Sequence, residues 1–259
     1  MTTAFELMVA PNGARLTHAD HPALPITQDE LIATARACEA EGATAIHAHV
    51  RDGSGQHSLN AERYNELHAA LLAQTNLHIQ VSTEAADIFD VAAQRDCLAA
   101  VTARDTSVSL REIARAPELV AETYAIAAQR GIDIQHILYS PDDMELLRTH
   151  QDAGILPEGH CRAIFVLGRY TEGQISAPED LKPFLDAVGN AQLTWSVCAF
   201  GPREHDCLLA ALQAGGHARI GFENSRTNAQ GVRHTDNAAS VATFVEMAAK
   251  HGFAPERRG

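Results

Sequence analysis

The sequence predicts an α/β fold of the (β/α)8 (TIM) barrel type, a single domain over residues 1–259, and three observations carry that prediction. Short β-rich apolar runs alternate with longer Ala/Leu-rich stretches of helical period, and eight such pairs follow one another along the chain. The 259 residues match the ~250 that one such barrel takes. No Pro/Ser-rich linker, charge block or low-complexity segment interrupts the series, so no second domain is expected. An open doubly wound sheet is the competing architecture.

The first unit pairs a strand at Phe5–Val9 with a helix at Asp29–Glu41, whose entry is marked by Thr27 and Glu30 at capping-box spacing. The second pairs Ala45–Val50 with Ala61–Gln74, preceded by Asn60 as a cap. The third and fourth are His78–Ser82 with Phe89–Ala100, and Thr106–Leu110 with Pro117–Arg130. The fifth and sixth are Ile134–Leu138 with Pro141–Ala153, and Ala163–Leu167 with Pro178–Val188. Pro117, Pro141 and Pro178 fall where a first helical turn tolerates a residue without an N–H. The last two are Thr194–Ala199 with Glu204–Ala214, and Ala218–Phe222 with Asn237–Lys250. Gly42, Gly131, Gly154, Gly189, Gly215 and Gly252 each follow a helical stretch, as a left-handed cap requires.

Composition limits the function classes. With 46% apolar and 20% charged residues the chain can build a sizeable core. Twenty Lys and Arg against 33 Asp and Glu give a formal charge of −13, which repels nucleic acid and anionic membranes, so neither is expected as a partner. An anionic small molecule must then be met by local arginines. The five cysteines, Cys38, Cys97, Cys161, Cys198 and Cys207, are odd in number and lack C-x-x-C spacing, which argues against a disulfide framework or a thiolate zinc site. Met1 to Pro11 does not read as a signal peptide and no apolar run approaches ~18 residues, so a cytoplasmic location is expected.

In a barrel the chemistry lies at the C-terminal ends of the strands. His47 and His49 stand two apart on the second strand, so both imidazoles share a face near that end and are placed to chelate a metal. The other reading is a pair of histidines bonded to backbone. On the eighth strand Arg219, Gly221 and Glu223 share a face, and Glu223 would complete a His2Glu set; otherwise it is a solvated loop residue. Arg219 pointing into a barrel needs an anionic partner, from substrate or from a structural ion pair. Ser82, Thr83 and Glu84 end the third strand at the mouth, a place for substrate contacts and equally an ordinary helix entry. Ser107 and Ser109 alternate on the fourth strand and either bond a carboxylate or fill the taper of the barrel. Arg15, after the first strand, offers a further cation at the mouth.

Taken in order, these segments resemble the β-keto acid cleavage enzymes through the whole chain. The likeness is most specific in the stretch from Asn12 to Arg15 leading to Thr27, and in the H-x-H-x-R-D run from His47 to Asp52. It is equally specific from Gln80 to Thr83 and in the G-G-H-x-R-x-G-x-E run from Gly215 to Glu223. The resemblance implies zinc held by His47, His49 and Glu223, and usually a homotetramer. It implies a β-keto acid and acetyl-CoA as small-molecule partners, giving an acetoacetate-type product and a new acyl-CoA by a retro-Claisen step. Arg219 is then the residue that orients base and substrate, Ser82 a substrate contact, and Ser107 and Ser109 pocket lining. The family commonly has an aspartate as proton-abstracting group where this chain has Asn224, and an amide cannot serve as that base. Well-studied members also have Glu at the position of Arg15, Gly at that of Glu84 and Asn at that of Ser109. With one carboxylate lost and another gained at the same mouth, Glu84 is expected to replace the base, and Arg15 to mark a substrate with an additional negative charge. Two other readings stay open: a metal-dependent carbon–carbon lyase or hydrolase that does not use CoA, and a catalytically silent metal- or ligand-binding barrel. A His2Glu set also accepts iron, manganese or cobalt.

Overall fold

Inward and outward side chains alternate along eight strands, and this alternation closes a sheet on itself while feeding a layer of helices outside it. The computed structural model describes residues 2–156, 162–189 and 191–256. In chain order the elements are β1 (Thr3–Phe5), β2 (Leu7–Val9), α1 (Gln28–Ala40), β3 (Ala45–Ala48), α2 (Ala61–Gln74), β4 (His78–Ser82), α3 (Val91–Ala100), β5 (Asp105–Ser109) and α4 (Leu110–Ile113). There follow α5 (Pro117–Arg130), β6 (Asp133–Leu138), α6 (Asp142–Asp152), β7 (Arg162–Leu167), α7 (Lys182–Val188), β8 (Thr194–Ala199), α8 (Glu204–Gln213), β9 (His217–Ile220), α9 (Asn237–Lys250) and β10 (Phe253–Pro255).

Strands β2 to β9 form a closed barrel in chain order, all pairs parallel, with β9 returning to β2 in the register Leu7 to Ala218, Met8 to Arg219 and Val9 to Ile220. The competing open sheet is thereby excluded. Outward-facing Ile46, Val81, Phe165 and Val197 pack with Leu31, Tyr64, Tyr124, Leu208 and Phe244 of the helices in one continuous core. Each such fully buried side chain stabilises the fold by about 1.5–3 kcal/mol. A second, inner cluster of Ile137, Ile164, Val166, Cys198 and Phe200 fills one side of the barrel lumen.

The expected cap at Thr27 forms a complete capping box with Glu30, and Asn60 accepts from the Arg63 N–H at 2.9 Å. Several boundaries differ from expectation. The run Phe5–Val9 divides, because Phe5 turns outward onto Phe244 of α9 at a ring distance of 6.1 Å while Leu7 to Val9 enter the barrel. Its outer half, β1, pairs in parallel with β10, a strand too short to carry a visible alternation. Leu110 leaves β5 to start the short α4, Pro141 caps α6 from outside, and Pro178 opens a 3-10 turn ahead of α7. The third helix starts two residues later than expected, at Val91, where Asp90 caps it by accepting from the Ala93 N–H.

Among the described residues no helix is long and apolar enough to cross a membrane. Cys38, Cys97, Cys198 and Cys207 are buried free thiols, and Cys161 lies outside the described residues.

Candidate metal centre

His47 is the last inward residue of β3, and His49 follows two residues on, so both rings reach the C-terminal mouth of the barrel. The backbone of His49 is fixed by Asn12, which donates from its amide to the His49 carbonyl at 2.9 Å and accepts from the His49 N–H at 3.3 Å. Arg51 clamps the loop beyond β2 by donating to the carbonyls of Gly13 and Leu16.

Glu223 lies just past β9 on a turn held from beneath by two buried side chains. Glu204 accepts from the Gly221 N–H at 3.1 Å and from Asn224 Nδ2 at 3.3 Å, while Asn237 accepts from the Phe222 N–H and donates to the Pro11 carbonyl. Two glycines are required here. At Gly221, with φ of +141°, a Cβ would come within 2.4 Å of the Ala10 carbonyl oxygen, and at Gly13, with φ of +61°, within 2.7 Å of Glu223 Cγ.

These supports bring His47, His49 and Glu223 together at the mouth, with one ligand atom from each within 4.8 Å of the others. The two Nε2 atoms are 3.1 Å apart, and Glu223 Oε2 lies 3.8 Å from that of His47 and 3.6 Å from that of His49. Two donors at ~2.1 Å from a tetrahedral cation stand ~3.4 Å apart, a value these distances bracket. Burial, with the nearby Arg219 charge, lowers the His47 pKa to about 4. Burial, with His47 and His57, takes His49 well below its usual range. Both rings are therefore in the neutral, ligating form at pH 7.

A buried chain of hydrogen bonds sets the tautomer of His47. Arg162 and His78 both donate to Asp105 Oδ2, and burial, which would raise the Asp105 pKa, is outweighed by these partners, so it stays an ionised acceptor. Asp105 Oδ1 then takes the Gln80 amide N–H at 2.9 Å, which turns Gln80 Oε1 toward His47 Nδ1 at 2.7 Å. His47 must donate from Nδ1, and its Nε2 lone pair faces His49 and Glu223. Glu223 Oε2 has no hydrogen-bond partner among the described residues although it is buried, the state of an oxygen built to meet a cation. The residues present thus fit a divalent metal.

Arg219 projects inward from β9 and donates to Glu223 Oε1 at 3.3 Å and to Cys198 Sγ at 3.2 Å, so the cation predicted to face the lumen is pinned on the metal-facing carboxylate. Glu84 Oε2 lies 3.8 Å from His49 Nε2, and burial, reinforced by the charges of Glu223 and Glu112, raises its pKa to about 7. Ser82 lines the cavity and accepts from the Glu84 N–H. Asn224 also lines it, its amide N–H directed to Glu204 and its Oδ1 without a partner. Arg15 reaches the same cavity but forms an ion pair with Asp87 at 2.8 Å.

Three expected contacts are not brought to the cavity wall. Thr83, one residue past β4, lies off the cavity lining and donates to the Ser107 carbonyl at 2.8 Å. Ser107 and Ser109 are buried on β5, their hydroxyls without a partner among the described residues, and lie off the cavity lining. The cavity, about 320 Å³, instead draws on Asn12, Tyr139, Arg169, Phe200 and the 225–233 loop. The inward period of β4 and β5 gave a signal for Gln80 and Asp105, since they alternate with Ser82 and Ser107. Arg169 and Arg226 lie in loops, where no periodicity marks orientation.

Comparison with known proteins agrees with this architecture. The profile of the beta-keto acid cleavage enzyme family matches residues 6–257. The chain is 25% identical over 254 residues to a 3-keto-5-aminohexanoate cleavage enzyme of Fusobacterium nucleatum subsp. nucleatum, covering 93% of this chain and 89% of that protein. It is 24% identical over 250 residues to the enzyme of the same name from Acetoanaerobium sticklandii, covering 93% and 90%. Among solved structures, a ternary complex of ObcA with a C4-CoA adduct and oxalate superposes with a TM-score of 0.73 at 15% identity over 91% of this chain. The chain spans 65% of ObcA, just under two thirds of its length, and that likeness concerns the fold.

Proposed function

The chain belongs to the beta-keto acid cleavage enzyme family, and from that premise we propose that it is a zinc-dependent enzyme that condenses a β-keto acid with acetyl-CoA and cleaves the product to an acetoacetate-type acid and a new acyl-CoA. The observation that carries this reading is the convergence of His47, His49 and the unpartnered Glu223 Oε2 at a cavity that also holds Arg219, Ser82 and Glu84. A divalent cation held by those three residues would supply Lewis acidity to a keto carbonyl.

The chain's own residues divide the remaining work. Glu84, raised toward neutrality by its burial, takes a proton from the carbon between the keto and carboxylate groups, a task that Asn224 cannot perform. That carbon attacks the thioester carbonyl of acetyl-CoA and releases the CoA thiolate. The thiolate then attacks the original keto carbon, and the carbon–carbon bond breaks with its electron pair leaving on the acetoacetate fragment, which takes the proton back from Glu84. Ser82, whose oxygen already accepts from the Glu84 N–H, has its hydroxyl proton free for a substrate oxygen. Arg219 holds Glu223 in place and keeps a positive charge beside the reacting groups. The reading carries with it a cytoplasmic location and a homotetrameric assembly, the latter measurable by light scattering.

The test is elemental analysis of the purified protein followed by a β-keto acid screen with acetyl-CoA, read by mass for new acyl-CoA. Zinc at one per chain and an acyl-CoA product support the proposal. Carbon–carbon cleavage without acyl-CoA would assign the protein to a CoA-independent lyase or hydrolase class, and bound metal without turnover would make it a silent binding barrel. Glu84→Gln is expected to lose at least about 100-fold in kcat, the scale of a general base, with metal content unchanged.

A further inference from the structure

In a chain with a formal charge of −13, five arginines line one cavity, Arg15, Arg169, Arg219, Arg226 and Arg233, and its lining includes two carboxylates, Glu84 and Glu223. The five are not equivalent. Arg219 is engaged at the floor with Glu223 and Cys198. Arg15 is paired with Asp87, and Arg233 donates to the Asp20 carbonyl. Arg226 belongs to the same outer loop as Arg233 and acts on the charge of Asp20. Like Arg226, Arg169 has no carboxylate ion pair among the described residues, and what sets it apart is that its guanidinium is held on aromatic faces. Its guanidinium lies over the rings of Phe200, at 5.3 Å, and Tyr170, at 5.9 Å, and no carboxylate among the described residues pairs with it.

The cavity wall beneath Arg169 is apolar. Ile137, Val166 and Phe200 form the wall on that side, continuous with the inner cluster of the barrel. Arg15 lines the same cavity as Arg169. A ligand with its keto acid end at the floor would therefore run a short methylene chain along this wall and end facing a planar, stacked and unpaired guanidinium. Such a fork matches a carboxylate in bidentate geometry.

We propose that Arg169, in a cavity that Arg15 also lines, forms an anion subsite for a second carboxylate, so that the substrate is a β-keto dicarboxylate rather than a β-keto acid with a neutral tail. This deepens the cleavage reading and rests on it for the keto acid end. It moves the tail-binding charge expected at Arg15 chiefly to Arg169, since Arg15 already has Asp87.

The phosphates of coenzyme A share the same anion chemistry, and the test separates the two sources. Binding of hexanedioate, hexanoate and coenzyme A alone is measured by calorimetry to the metal-loaded protein and to Arg169→Gln. None of these ligands can undergo the cleavage reaction. Hexanedioate is expected to bind about tenfold or more tighter than hexanoate to the wild type, the scale of one charge-assisted bidentate pair, and this preference is expected to collapse in Arg169→Gln. Equal affinity for the two acids, a preference that survives Arg169→Gln, or a variant that weakens coenzyme A and not hexanedioate would overturn the proposal.

A turnover arm compares 3-oxohexanedioate with 3-oxohexanoate. The ratio of their kcat/KM values is expected to fall at least about tenfold in Arg169→Gln, whereas an equal loss for both would mean that Arg169 acts only as structure. Absence of acyl-CoA from either acid, with the hexanedioate preference intact and dependent on Arg169, would defeat the cleavage reading and leave the dicarboxylate subsite standing.

Discussion

The barrel lumen is divided along its axis. Strands β3, β4, β5 and β9 send His47, Gln80, Ser82, Asp105, Ser107 and Arg219 inward, while the upper parts of β6, β7 and β8 send Ile137, Ile164, Val166 and Cys198. Both halves are buried, yet they differ in what burial costs. The apolar half gains from every methyl group it removes from water. The polar half holds buried atoms without partners among the described residues, including His49 Nδ1, Ser107 Oγ, Ser109 Oγ, Arg219 Nε and Glu223 Oε2. Each such atom costs about 1–3 kcal/mol unless a ligand meets it. One half therefore stabilises the barrel and shapes a wall, and the other gives up stability to keep ligating atoms free.

The largest expected effect comes from breaking the apolar half. Ile164 is fully buried in the inner cluster, and Ile164→Ala removes three carbons from a packed wall. The expected loss is about 2–5 kcal/mol, read as a fall in Tm of about 2–4 °C per kcal/mol for a chain of this size. Metal affinity, measured by chelator competition, is expected to stay within about twofold, because Ile164 shares no partner with the ligands. A large loss of affinity in this variant would show that the two halves are mechanically one.

A smaller effect of the opposite kind is expected on the polar side. Gln80→Leu severs the connection between Asp105 and His47, leaving Asp105 Oδ1 without the Gln80 donor and the His47 ring free to take the wrong tautomer. Metal affinity is expected to fall about 10–100-fold, equivalent to about 1.4–2.8 kcal/mol. Affinity unchanged in a folded Gln80→Leu protein would remove the relay from the account of the site.

The same division governs how much of the molecule could be read from its sequence. Period-two alternation exposed the eight barrel strands, the shared face of His47 and His49, and that of Arg219 and Glu223, because a regular strand fixes side-chain direction. Thr83 falls one residue past β4, where that alternation no longer fixes direction, and its hydroxyl goes to the Ser107 carbonyl. Phe5 reads as part of a barrel strand because apolar content alone does not distinguish a lumen-facing run from one that docks on α9. Arg169 and Asn12 stand on loops whose direction is set by long-range contacts, such as the Asn12 bonds to His49, 37 residues away, whereas Asn224, expected at the substrate, does line the cavity. Nor could the pairing of Arg15 with Asp87 be foreseen, since residues 86 and 87 adopt positive φ values of 51° and 63° that no glycine announces.

The smallest effect sharpens the boundary between the halves. Glu204 begins α8, the helix that links β8 of the apolar half to β9 of the polar half, and it is buried with Oε2 unpartnered. Burial raises its pKa well above the usual 4.5, against the donors Gly221 N–H and Asn224 Nδ2, so the folded protein keeps this proton to a higher pH than the unfolded chain does. Below 4.5 the folded and unfolded chains both hold this proton. Above it the unfolded chain releases the proton and the folded chain does not, so stability falls as pH rises toward the folded pKa. Glu204→Gln keeps an oxygen for both donors and has no proton to release. Denaturant unfolding of the two proteins at a series of pH values above 4.5 is therefore expected to show the wild type losing stability relative to the variant as pH rises. The titrations of all other groups cancel in this difference. Parallel curves would mean that Glu204 is ionised in the fold, and that the turn carrying Glu223 is held by a charge rather than by a neutral acid.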